Sequence, residues 1–250
     1  ELSIGDPGAP VTAVYFADLS DASQRRALGS LVARHDGGGL RLVLLPLPRI
    51  EPAGAAVGNG ESLRMALAIV ALTAHLGPPD RLRLARGLGD PRLANWAAVE
   101  ALALALGLGA PGLAKGLAAP AATVMLDRHI RLAAAVDARP GTLYLNGWRW
   151  TGSPLDPGLD AACKRANEEA AVIVARGIPP RLVYPGLVAT GRRISVAERD
   201  LEPREVAADF TGVPDLGSAA GGAAMAVHLF VDFHGLASRA AFHVLERLRR

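Results

Sequence analysis

One arrangement constrains the fold more than any other: an apolar strand run, a helix start, and a second apolar strand run packed into the first fifty residues. Val11-Thr-Ala-Val-Tyr-Phe-Ala17 is β-branched and aromatic and ends at Asp18 before a polar turn, which predicts a buried strand. A helix should follow directly. Ser20 or Asp21 can cap it, Gln24 stands three residues after Asp21 as in a capping box, and Ala27, Leu28, Leu31 and Val32 recur at helical spacing. Asp36-Gly-Gly-Gly39 stops that helix, and residues 40–45 form a second apolar run broken only by Arg41. Strand, helix, strand is a βαβ unit, whose crossover is almost always right-handed.

Residues 61–137 carry no clear strand signal. They read as several helices punctuated by Gly77-Pro78-Pro79, Gly87, Gly89, Pro91, Pro111 and Pro120, with Asn95 capping one of them. Extended structure returns at 142–145, turns at Asn146-Gly147 and continues through Trp148-Arg149-Trp150; Asn-Gly between two such runs is a strong hairpin signal. A helix over about 157–174 follows. At 250 residues and 50% hydrophobic, the chain has room for one large domain or two small ones and is expected to fold.

In this order the pieces resemble the DsbA-like thiol-disulfide oxidoreductases of the thioredoxin fold, over roughly the first 175 residues. Phe16-Ala-Asp18-Leu-Ser-Asp21-Ala-Ser-Gln24 is similar to that family's strand ending in Phe-x-Asp before its Cys-x-x-Cys helix. Gly141-Thr-Leu-Tyr-Leu-Asn146-Gly147 is similar to its stretch of Pro-Thr, three apolar residues and Asn-Gly. The resemblance implies an α/β fold, thioredoxin-like with a helical insertion at about 61–137, in a domain covering 1–176. A connecting segment over 177–221 would then lead to a partial second unit at 222–250.

The departures from that family bear directly on chemistry. By the same alignment Asp21 and Gln24 occupy the two redox cysteine positions, and Gly141 takes the place of the cis-proline, with Pro140 one residue earlier. The family's nucleophile is a thiolate held at a helix N-terminus, where free N–H groups and the dipole favour negative charge. An aspartate feels the same field, but it cannot attack a disulfide. The plainer reading makes Asp21 an N-cap and Gln24 its box partner. The resemblance thus implies a degenerate site made of Asp18, Ser20, Asp21, Gln24, Pro140, Gly141 and Thr142.

The C-terminal residues Gly222-Ala-Ala-Met-Ala-Val-His-Leu-Phe230-Val-Asp232-Phe-His-Gly235-Leu-Ala-Ser238-Arg239 echo residues 8–25 without gaps, pairing Phe230 with Phe16 and Asp232 with Asp18. This predicts the opening of a second thioredoxin-like unit, with Gly235 and Ser238 at its redox positions.

Several function classes are excluded by composition. A single cysteine, Cys163, forbids dithiol chemistry and multi-thiolate zinc sites within the chain. An isolated helical cysteine is read as a packing residue. Lys and Arg outnumber Asp and Glu by only three (27 against 24), and the scattered basic residues give no nucleic-acid footprint. Only His228, His234 and His243 share a neighbourhood, without the carboxylates of a metal site, so no metal or other cofactor is expected. The most apolar stretches, 65–76 and 97–108, fall short of the roughly 20 residues of a membrane span, and both are read as buried helices. Gly58-Asn-Gly60-Glu-Ser62 lacks the lysine of a phosphate loop and reads as a helix start with Asn59 or Ser62 as cap. Trp148 and Trp150 alternate on one strand and so share a side, with packing the expected role.

Nothing near Glu1 reads as a charged n-region followed by an apolar h-region, and an upstream segment is expected to have been removed. The resemblance favours a periplasmic or envelope location. The leading expectation is a redox-inactive module that serves as a scaffold or binds an extended polypeptide or protein partner. The alternatives are one part of a tandem oxidoreductase whose cysteines lie elsewhere, and a glutathione-transferase-like enzyme using Ser20 or Ser23, neither of which has an evident base partner in the sequence.

Overall fold

Strand β2 (Val11–Ala17) is buried at every residue because both faces of the sheet are covered. The computed structural model describes residues 2–49, 59–93 and 95–189. All of them belong to the first of two units into which the chain divides, Glu1–Ala197 and Glu198–Arg250. The echo at 222–250, with Gly235 and Ser238, lies outside the described residues, as do His228, His234 and His243.

Helix α1 (Ala22–Asp36) follows β2, and β3 (Leu40–Pro46) returns parallel to it, pairing Val11 with Leu40 and Ala17 with Pro46. The expected βαβ unit is present. An N-terminal strand β1 (Leu2–Ile4) pairs antiparallel with β3, Leu2 opposite Leu44 and Ile4 opposite Leu42. Helices α2 (Asn59–His75), α3 (Pro78–Leu88), α4 (Trp96–Ala105), α5 (Ala110–Ala118) and α6 (Pro120–Ala135) form the insertion, and β4 (Leu143–Leu145) and β5 (Trp148–Trp150) form the hairpin. The sheet order is β1-β3-β2-β4-β5, with β4 antiparallel to both β2 and β5.

Side chains alternate across the sheet with the period of two that strands impose. Ala13, Tyr15, Leu42, Leu44, Leu143 and Leu145 join Leu28 and Leu31 of α1 and Leu159 of the next helix, α7 (Gly158–Ala175), in the main core. Val14, Phe16, Val43, Leu45 and Tyr144 face the other way, against Ala133 of α6.

The turn between β4 and β5 places both Asn146 (φ 48°) and Gly147 (φ 88°) in the left-handed region, as a type I′ hairpin requires. The Asn146 amide is buried: its Oδ1 accepts from Thr12 N at 2.8 Å, and its Nδ2 donates to the Pro10 carbonyl at 2.9 Å and the Ala166 carbonyl at 3.3 Å. One side chain therefore ties the hairpin to β2 and α7.

The stretch read as connecting segment from 177 includes a helix, α8 (Pro180–Ala189), whose Val183 and Leu187 pack on Ala170 of α7. Pro180 at its first position favours a helix start. Two expectations are revised. Of the two helices read as buried, α2 is largely so, but α4 buries only Val99 and Ala103 and leaves Leu104 68% exposed. Ser62 is not a helix cap, because α2 begins at Asn59; its hydroxyl accepts instead from the backbone N–H of Arg49 at 2.9 Å.

Candidate functional site

Parallel pairing sets the carboxyl ends of β2 and β3 side by side, the position where open α/β sheets present their sites. Leu47 N donates to the Ala17 carbonyl at 2.9 Å, so the residues just beyond both strands converge. Asp18 is buried, 3% exposed, and its Oδ1 accepts from both the backbone N–H and the hydroxyl of Ser20, at 3.0 and 2.6 Å. This turn delivers the chain to Asp21, the N-cap of α1.

Asp21 Oδ1 accepts from Ser23 N at 2.7 Å, Ser23 Oγ at 2.6 Å and, more weakly, Gln24 N at 3.4 Å. The Ser23 hydroxyl, assisted by the two backbone N–H groups and the Arg49 guanidinium, holds the Asp21 carboxyl below its ordinary value against the opposing effect of burial. Its negative charge in turn adds to the burial that pushes the Tyr15 phenol upward.

Gln24 does not close a capping box on Asp21. The Asp21 N–H already donates to the Asp18 carbonyl at 3.1 Å, and Gln24 Oε1 accepts from the backbone N–H of Asp18 at 2.8 Å. The side chain spans from the first turn of the helix back to the end of the strand. From the facing side, Gly141 N donates to the Phe16 carbonyl at 2.7 Å and Phe16 N to the Thr142 carbonyl at 2.9 Å. Gly141 sits at φ +95°, and a Cβ there would lie 3.9 Å from Gln24 Cδ. The loop is tied further by Arg139 N donating to Thr142 Oγ1 at 3.0 Å. No peptide among the described residues is cis, so the Pro140–Gly141 turn differs from the proline loop of the family it resembles.

Asp18, Ser20, Asp21, Gln24, Gly141 and Thr142 are therefore brought together, with Pro140 in the flanking turn. Two further residues escaped the sequence reading. Arg49, beyond β3, reaches Asp21 Oδ2 through Nη2 at 3.2 Å and Asp18 Oδ2 through Nε at 3.9 Å. No local pattern marks it, because it meets Asp21 only through the parallel pairing of β3 with β2. Arg25 is buried, and its Nη1 donates to the Leu19 and Ser20 carbonyls, both at 2.9 Å, fixing the β2–α1 loop from beneath.

The two serines each meet a carboxylate at 2.6 Å, but both contacts join residues two apart and close local turns of the kind Asp side chains favour. The site offers anionic and hydrogen-bonding groups and no sulfur. Cys163 on α7 is half-buried; burial pushes its thiol up, with Arg34 and Asp160 as its charged neighbours. Arg34 belongs to the last turn of α1, about 20 Å along the helix from Asp21 at 1.5 Å per residue. Among the described residues no group of three His, Cys, Asp or Glu side chains could hold a metal ion, and no single helix is long and apolar enough to cross a membrane.

No family model matches the chain, and no curated protein matches it. Solved structures do. A thioredoxin-like oxidoreductase from Silicibacter pomeroyi DSS-3 is 23% identical, with a TM-score of 0.52, over 66% of this chain and 91% of that one. Oxidised BdbD from Bacillus subtilis is 15% identical, with a TM-score of 0.54, over 67% and 93%. DsbA from Chlamydia trachomatis is 18% identical, with a TM-score of 0.50, over 68% and 91%. At such identities the likeness is one of fold, and the described unit has the DsbA-like thioredoxin fold with a helical insertion.

Proposed function

We propose that this unit is a redox-inactive thioredoxin-fold module that binds an extended polypeptide, or serves as a scaffold, in the groove between the start of α1 and the Gly141 loop. The observation that carries the reading is Asp21 at the α1 N-cap, its Oδ1 held by Ser23 and Gln24 N–H groups, where the resemblance puts the attacking cysteine. A carboxylate satisfied in this way keeps the electrostatics of the cradle without its exchange chemistry. The same resemblance supports an envelope location. The echo of residues 8–25 at 222–239 supports the further reading that the chain is part of a tandem array.

Thiol-disulfide turnover, followed as insulin reduction by dithiothreitol, should stay at the uncatalysed rate; acceleration by the chain would overturn the redox-inactive reading. The double substitution Asp21→Cys with Gln24→Cys should create a disulfide reducible by dithiothreitol. A folded double variant that keeps all three thiols free under oxidation, the two introduced and that of Cys163, would refute the alignment on which the reading rests.

A further inference from the structure

The helical insertion carries a cleft of about 300 Å³ between the first turns of α2 and the start of α4, lined by Gly60, Glu61, Arg64, Met65 and Trp96. Its floor is apolar: Met65 is 3% exposed, and Trp96 packs against the main core. Its polar groups are mostly engaged. The Arg64 guanidinium lies 3.7 Å from the centre of the Trp96 ring, and the Trp96 indole N–H donates to Glu100 at 2.6 Å. Glu61, exposed at the rim, makes no ion pair among the described residues. A short chain of contacts leads from the cleft toward the candidate site. Ser62, next to Glu61, accepts from Arg49 N, and the Arg49 guanidinium pairs with Asp21.

We infer that this cleft is an anchor subsite for the polypeptide bound at the Asp21 groove, and that it takes one large apolar side chain followed by a lysine or arginine. The inference rests on the polypeptide-binding reading above. A volume at the lower limit for small-molecule pockets, with an apolar floor and no buried polar group left to orient a ligand, suits a single side chain. The charge left over around the cleft is anionic, since the carboxylates of Glu61 and Glu100 outnumber the Arg64 guanidinium, so the residue following the anchor is cationic. Ser62 and Arg49 join this subsite to the groove, as two ends of one extended segment require.

The test uses the full chain and three fluorescein-labelled Gly/Ser dodecapeptides carrying a central Phe-Lys, Ala-Lys or Phe-Glu, titrated by fluorescence anisotropy. The Phe-Lys peptide should bind about tenfold more tightly than Ala-Lys, as expected for burying one large apolar side chain. It should also bind about threefold more tightly than Phe-Glu, the scale of an exposed charge pair. The Glu61→Lys substitution, at an exposed position, should invert the preference between Phe-Lys and Phe-Glu. Equal affinity for all three peptides, or a preference that Glu61→Lys leaves unchanged while Ser23→Lys in the groove weakens binding, overturns the anchor subsite alone. Failure of every peptide to bind the wild-type chain overturns both the subsite and the reading beneath it.

Discussion

The carboxylate of Asp21 and the guanidinium of Arg49 meet at 3.2 Å across the gap between the ends of two parallel strands. Asp21 therefore carries two kinds of partner, the N–H groups of its own helix and a cation from the neighbouring strand. Asp21→Ala removes both and should cost about 1 kcal/mol of stability, the usual worth of an N-cap; Asp21→Asn should retain most of the cap. The folded carboxyl titrates below its unfolded value of 3.8. Its contribution is thus complete above that value and is lost as pH falls through the folded one. Urea unfolding of wild type and Asp21→Ala should give a difference that is constant at neutral pH and shrinks in strong acid to what the uncharged cap contributes.

A second prediction concerns the buried turn amide. Asn146→Ala leaves the Thr12 N–H and two carbonyls without their side-chain partners and puts at φ 48° a residue that tolerates the left-handed region less well than asparagine. The expected loss is about 2–4 kcal/mol, from unsatisfied buried groups together with backbone strain. Asn146→Asp should be as damaging at neutral pH, because a carboxylate can still accept from Thr12 but turns its second oxygen toward two carbonyls. Part of that loss should return on acidification, which denaturation at pH 4 and 7 would check.

His129 on α6 is 2% exposed, and among the described residues neither ring nitrogen has a hydrogen-bond partner. Burial is the main force pushing its pKa from 6.5 down to about 4, and Arg128 adds to it. The Pro46 carbonyl favours the charged form but lies outside hydrogen-bond geometry, so burial wins. The unfolded chain therefore binds the proton more readily between pH 6.5 and 4, and stability falls as pH falls through that window. At 1.36 kcal/mol per unit the full effect is at most about 3 kcal/mol. His129→Leu should flatten the acid limb of the stability curve; an unchanged limb would mean that another group sets it.

Sequence legibility followed the range of the interactions. The strand at Val11–Ala17, the stop at Gly37 and the Asn146-Gly147 turn are set by neighbouring residues, so local patterns revealed them. Strand β1 is three residues long, too short to show alternation. Arg49 reaches Asp21 only because β3 lies parallel to β2, a tertiary fact with no local signature. The capping box expected of Gln24 does not form, because the Asp18 carbonyl, brought back by the β2–α1 turn, takes the Asp21 N–H and Gln24 Oε1 accepts from Asp18 N instead. Helix α8 carries Pro185 in its interior, which weakens any local helix signal, and it packs on Ala170 of α7 through Val183 and Leu187.

Helix α1 approaches the end of α3 at backbone distance. A Cβ built on Gly29 would lie 2.9 Å from the Gly89 carbonyl oxygen, and one on Gly89 would lie 2.8 Å from Gly29 Cα. In an isolated helix Gly29→Ala should stabilise by up to about 1 kcal/mol. Here the methyl meets backbone that cannot step aside as a side chain would, and overpacking of about 1–3 kcal/mol should prevail. Thermal unfolding of Gly29→Ala is thus expected to show a lowered Tm; a raised one would mean that the two helices separate at little cost.

Gly141 offers the sharpest check on the remodelled loop. Restoring the family's proline by Gly141→Pro would demand φ near −65° where the chain has +95°, and would delete the N–H that donates to Phe16 at 2.7 Å. The loop cannot absorb both changes in place, because the Thr142 carbonyl and hydroxyl are also committed, to Phe16 N and Arg139 N. The substitution should therefore cost about 3 kcal/mol or more. Gly141→Ala, which keeps the donor and meets only ordinary van der Waals contact at Gln24, should cost only the left-handed strain of about 1–2 kcal/mol. Equilibrium denaturation of the pair separates the two contributions. A Gly141→Pro variant as stable as wild type would mean that the loop readily adopts a proline-compatible path.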